Sequence, residues 1–225
     1  MKNLLWILIG CVVAIALIVV IILLSAKKSE SRKQYKECWS DEMVWSDVES
    51  LSIVSNTCNE ESVIELDLSK YPKLKSVTIG DECFMYVNEV KMIGMSELES
   101  VEIGMNCFTK HKNSAGSDSN RHFYLKNCPK LKSLEIGHHS FSDYRVCEIE
   151  TVNALEVIEI GDLNEDSPNF VYASLELKSI LIHSEYQLDM PSLKSLTFGG
   201  RAFQRCSRIV FESDSFSFHS STRLA

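Results

Sequence analysis

The sequence predicts a mainly β protein, a β-solenoid of stacked parallel strands preceded by one transmembrane α-helix. Three observations carry this. An eleven-residue pattern returns along the chain, its apolar letters keep the period of a strand, and one uncharged run near the start has the length of a bilayer.

That run, Leu4–Leu24, holds 21 residues. At about 1.5 Å per residue it makes roughly 31 Å of helix, which matches a hydrocarbon core of about 30 Å and makes the lipid bilayer its expected partner. A cleaved signal peptide fits less well, because its apolar core runs to about 15 residues at most and is followed by small residues, whereas cleavage after Ala26 would leave Leu24 three positions upstream. The flank after the run carries Lys27, Lys28, Arg32, Lys33 and Lys36, against Lys2 on the other side. This bias predicts a single-pass protein with its C-terminal part in the cytoplasm, the extracellular side remaining open. The eleven Asn residues give no Asn-x-Ser/Thr acceptor, only Asn56-Thr57-Cys58. The expected organisation is a flank at 1–3, the helix at 4–24, a basic juxtamembrane linker and cap at 25–47, the repeats at 48–216 and a tail at 217–225.

The repeat reads LKSVTIGDECF from Leu74, LESVEIGMNCF from Leu98, LKSLEIGHHSF from Leu131 and LKSLTFGGRAF from Leu193. Weaker copies start at Val48, Leu155, Leu177 and, degenerately, Cys206, so the intervals are 26, 24, 33, 24, 22, 16 and 13. Self-similarity near this period marks units that bury their apolar face only by stacking. Offsets 3 and 5, such as Val77 and Ile79, share one face of a strand, with Thr78 pointing away. Gly80, Gly104, Gly137, Gly161 and Gly199 mark the strand exits.

A second apolar segment precedes most copies: VIELDL, EVKMI, HFYLKN, VCEIE, FVYAS and YQLDM. Each coil is therefore expected to supply two strands, one on either side of a flattened interior. Phe84, Phe108, Phe141, Phe203 and Phe216 share an offset and are expected to stack as a spine. Cys83 and Cys107 fall where Ser140 and Ala202 also occur, a slot for small buried side chains.

The pattern L-x-x-L-x-L followed by a turn resembles the leucine-rich repeat, and AFQRCSRIVFESDSF is similar to the short repeats of BspA-like leucine-rich proteins. The resemblance covers about Val48 to Phe216 and implies a curved or twisted stack of parallel strands that binds other macromolecules. The Asn that forms a hydrogen-bonded ladder in that family is replaced by Thr57, Cys83, Cys107, Ser140 and Ala202, which leaves a straighter β-solenoid as the variant.

The insert Lys110–Arg121 is polar and lacks apolar period, so it reads as a surface loop. DLNEDSPN after Gly161 is a smaller one. On the solvent face, offset 1 reads Glu49, Lys75, Glu99, Lys132, Glu156, Lys178 and Lys194, alternating in sign through six rungs. Offset 4 reads Ser52, Thr78, Glu102, Glu135, Glu159, Leu181 and Thr197. Glu102, Glu135 and Glu159 thus stand on consecutive rungs and are the partner-binding candidates, a stripe suited to cations, with an ordinary solvated face as the alternative.

No phosphate-binding glycine loop, G-x-S-x-G or H-E-x-x-H occurs, and no C-x-x-C pair supports a zinc site. No cofactor, metal or catalytic residue is expected; His138 and His139 read as turn residues. Of the eight cysteines, seven lie outside Leu4–Leu24, an odd number for a closed disulfide set, although Cys38 and Cys58 could pair in an oxidising compartment. Beyond residue 37 there are 17 Lys and Arg against 29 Asp and Glu, a balance that repels nucleic acid. The sequence therefore points to a membrane-anchored scaffold that binds another protein noncovalently. A cell-surface adhesin and a glycan-active solenoid enzyme are the alternatives.

Overall fold

The structure, a computed structural model, describes residues 32–35, 38, 47–111, 116–178, 192–206 and 208–212. Its strands are β1 (Arg32–Tyr35), β2 (Ser50–Ile53), β3 (Glu65–Asp67), β4 (Ser76–Ile79), β5 (Glu89–Ile93), β6 (Ser100–Ile103) and β7 (His122–Lys126). They continue as β8 (Ser133–Ile136), β9 (Val146–Glu150), β10 (Val157–Ile160), β11 (Ser174–Lys178), β12 (Ser195–Phe198) and β13 (Ile209–Glu212).

These strands form two parallel sheets. One has the order β1-β2-β4-β6-β8-β10-β12, the other β3-β5-β7-β9-β11-β13. From β2 onward the chain alternates between them, so each turn of the winding gives one strand to either side. The reason is legible in the side chains. In β4, β6, β8 and β10 the second and fourth residues are buried and the third is exposed, while five-residue strands such as β5 and β7 bury positions two and four. Val77, Ile79, Val101 and Ile103 thus face Val90, Met92, Phe123 and Leu125 across a single interior. At the corners the amides of Leu74, Leu98, Leu131 and Leu155 bond back to the carbonyls of Tyr71, Met95, Cys128 and Val152. These tight turns carry a buried apolar side chain at each end.

The transmembrane α-helix is the main correction. Among the described residues no helix is long and apolar enough to cross a membrane; the helix found there is the 3-10 turn Leu68–Lys70, capped by Asp67, whose Oδ1 accepts from the Ser69 amide at 3.0 Å. Backbone donors and acceptors of the strands are instead satisfied between coils, in parallel ladders. The single-pass assignment and the cytoplasmic side rested on that helix and are withdrawn with it. Leu4–Leu24, on which it was placed, lies outside the described residues. Within the expected linker, Arg32–Tyr35 pairs with β2 as the first strand of a sheet.

Register errors in the repeat reading are also corrected. Leu177 does not open a copy; it lies in β11 of the second sheet, and β10 pairs directly with β12. Lys178 therefore leaves the offset-1 column, and Glu156 meets Lys194, which is ion-paired to it at 2.7 Å. Leu181 and YQLDM lie outside the described residues. FVYAS is mostly a turn, with only Ser174 entering β11, and Cys206 leads into β13, the second strand of the last coil. The spacing misleads because five extra residues precede Phe170 and ten more separate Lys178 from Leu193 than separate Glu150 from Leu155, so the next copy falls 38 residues after Leu155.

The spine is present. Phe84, Phe108, Phe141, Phe170 and Phe203 stack with centroids 5.1, 4.6, 4.8 and 5.3 Å apart and planes within 8° of parallel. Phe170 is the rung that the repeat reading missed, and Phe216 is outside the described residues. All five have positive φ, between 49° and 61°. A left-handed non-glycine residue costs about 1–2 kcal/mol. Burying a Phe side chain returns about 1.5–3 kcal/mol, and a ring pair adds roughly 0.5–1.5 kcal/mol, so the stack sustains the strain.

Candidate partner-binding groove

The solvent face of the first sheet is built by registered columns. Glu102 is opposite Glu135, which is opposite Glu159; Thr78 and Thr197 close the column at either end. The structure therefore brings all three sequence candidates together, exposed on β6, β8 and β10. Their backbones are about 4.8 Å apart.

Beside them runs an open groove of about 550 Å³, lined by these glutamates together with Asp81, Met105, His138, Asp162 and Leu163. Its floor is formed where the strands end in glycine. A Cβ on Gly137 would lie 2.6 Å from the carbonyl carbon of Gly104, so the coils close up here only because the side chain is missing. Asp81 accepts from the Met105 amide at 2.9 Å and Asp162 from the Asn164 amide at 2.8 Å, which shapes the rim. His138 Nδ1 stands 3.7 Å from Glu165. The lip is apolar: Met105 is 39% and Leu163 67% exposed.

Sequence reasoning missed Asp81, Met105, His138 and Asp162 as groove residues, although a signal exists: each directly follows a strand-exit glycine, so stacking puts them in one column. Leu163 comes from the DLNEDSPN insert and had no such signal.

Charge is handled differently elsewhere on the surface. Lys75 meets Glu49 at 3.0 Å and Lys130 meets Glu97 at 2.8 Å, each pair joining neighbouring coils. Hydrogen bonding from Lys130 and from Lys194 holds the carboxyls of Glu97 and Glu156 below the usual range. On the second sheet Lys91 sits between Glu65 and Glu89, Lys126 between Glu148 and Glu150, and Lys178 beside Glu176. Among the described residues no ion pair or hydrogen bond engages the side chains of Glu102, Glu135 or Glu159. At their spacing, repulsion between neighbours is about 1 kcal/mol in water, small enough for the fold to carry.

The slot beside the spine forms a ladder of hydrogen-bond donors. Thr57 Oγ1 donates to the Val54 carbonyl at 2.6 Å, Cys83 Sγ to the same carbonyl at 3.2 Å, Cys107 Sγ to Gly80 at 3.0 Å and Ser140 Oγ to Gly104 at 2.7 Å. Asn169 continues it, its amide donating to Gly137 and Ser140 carbonyls at 2.8 and 2.9 Å. Here too the displaced coil had hidden a member. Cys58 is buried in the interior and Cys38 packs against that interior at the edge.

The Lys110–Arg121 insert is anchored from inside. Arg121 is fully buried, paired with Asp143 at 2.6 Å, donating to the carbonyls of Met85 and Val87, and lying over the Tyr144 ring. Its reading as a surface residue is thereby corrected. Among the described residues no three His, Cys, Asp or Glu side chains converge as metal ligands. No family model, curated protein or solved structure matches this chain.

Proposed function

We propose that this protein is a noncovalent protein-binding module that grips a basic, extended segment of its partner in the groove of the first sheet. The observation that carries the reading is the column Glu102, Glu135, Glu159: three adjacent carboxylates without a cation among the described residues, in a molecule that pairs acid with base on neighbouring coils on both sheets. An extended segment crossing the strands would present a lysine or arginine to each rung, with Met105 and Leu163 taking its apolar side chains. The resemblance to leucine-rich repeats supports the same reading, since that architecture implies recognition of macromolecules.

The test is fluorescence anisotropy of a labelled peptide with four lysines at alternate positions, titrated with the full-length protein. Binding should weaken about tenfold or more in a Glu102→Gln, Glu135→Gln, Glu159→Gln triple variant and fall with salt, because exposed charges are screened beyond about 10 Å at 0.1 M. Equal affinity of wild type and triple variant would remove the groove from the mechanism.

A further inference from the structure

The slot beside the spine contains two cysteines one coil apart. Ile79 is paired with Ile103, and four residues later the Phe108 amide still donates to the Cys83 carbonyl at 2.9 Å, so Cys83 and Cys107 remain in register through the turn. Neighbouring coils are about 4.8 Å apart, inside the span of about 4.4–6.8 Å that a disulfide needs between Cα atoms. The side chains point the same way, since they donate to equivalent carbonyls, Val54 and Gly80, on successive coils.

We propose that Cys83 and Cys107 form an oxidisable pair, a modification site at which a hydroperoxide converts two stacked thiols into a disulfide between adjacent coils. Contact with Cys107 lowers the Cys83 thiol below its ordinary value, against burial, while contact with Cys83 raises Cys107. Cys83 is therefore the nucleophile and Cys107 the resolving thiol. Both residues are fully buried, which selects an oxidant of nearly water size. The Cys83 sulfur attacks one oxygen of hydrogen peroxide, the O–O bond breaks, hydroxide leaves and a sulfenic acid remains. The Cys107 sulfur then attacks Cys83, the S–S bond forms and the S–O bond breaks. The departing hydroxide takes up the Cys107 proton, and the hydroxide from the first step the proton that Cys83 had lost. Two thiols and one peroxide thus yield one disulfide and two waters.

Cys128 is the internal control. Its thiol donates to the Met92 carbonyl at 3.5 Å, and burial pushes it up to about 11.

The experiment treats folded full-length protein with hydrogen peroxide, blocks remaining thiols in denaturant and maps the unreduced peptides by mass spectrometry. A Cys83–Cys107 linked peptide, two hydrogens lighter than its parts and released by dithiothreitol, is the expected product, with Cys128 still alkylated. Oxidation should also raise the melting temperature of wild type but not of Cys83→Ser or Cys107→Ser, variants the slot accepts because Ser140 occupies it already. Full alkylation of both cysteines in peroxide-treated folded protein, or oxidation of Cys128 before the linked peptide appears, would overturn the proposal.

Discussion

Phe170 lies flat against Phe141, with ring centroids 4.8 Å apart and planes 8° from parallel, although five extra residues separate Phe170 from the position the repeat assigns it. The stack, not the spacing along the chain, places the ring. Ser167 and Asn169 make this possible: the Ser167 hydroxyl bonds Asn169 Oδ1 at 2.8 Å and accepts from the Asp162 amide at 3.1 Å, folding the insert back over the coil.

Removing one ring should be costly. Phe141 is fully buried, stacked on Phe108 and Phe170 and edge-on to Phe123 and Tyr144. Phe141→Ala is expected to lose about 3–5 kcal/mol of stability, measured by urea unfolding. A loss below about 1 kcal/mol would show that the rings do not depend on one another.

The Asn169 amide serves two carbonyls from within the ladder. Asn169→Ala leaves the Gly137 and Ser140 carbonyls without that donor, at about 1–3 kcal/mol. Thermal melts of Asn169→Ala and Asn169→Ser give the comparison, with Ser intermediate because one hydroxyl replaces two N–H donors.

Arg121 and Asp143 test a buried charge. Asp143→Ala should destabilise by about 3–5 kcal/mol, because it strands a buried guanidinium. The double change Arg121→Met with Asp143→Leu should recover most of that loss, since replacing both partners with apolar groups removes the desolvation cost. Chemical denaturation of the three proteins decides it, and a double variant no better than Asp143→Ala would contradict the account.

Alkaline pH should weaken the fold. Burial pushes the Cys128 thiol up to about 11 and raises Cys147 and Tyr144 further, while Cys107 is raised by its contact with Cys83. For an acid whose folded pKa exceeds its unfolded value, stability is complete below the unfolded value and declines as pH rises toward the folded one. An unfolded thiol ionises near 8.5, so each such cysteine should cost about 1.4 kcal/mol per pH unit above that point. Cys83, which contact with Cys107 lowers, does not add to this trend. Urea midpoints at pH 8 and pH 10 measure the slope, which should be shallower by about one thiol's share in Cys128→Ala.

The sequence alone determined the period, the strand-exit glycines, the strands that face inward and the acidic column, because each is a local alternation that stacking merely copies. Val77 and Ile79 must turn inward whatever the fold's remaining shape, and with them Thr78 must turn out. Only the tertiary structure decided which segments count as equivalent. Leu177, Phe170, Asn169 and Cys206 were misplaced by spacing, since an insert adds letters to the chain without adding a rung to the stack. It also decided the fate of Arg121: a guanidinium in a polar insert reads as solvated until the carbonyls of coil-distant Met85 and Val87 and the carboxylate of Asp143 are seen to converge on it. Burial of charge depends on partners brought from afar, and nothing in local periodicity records them.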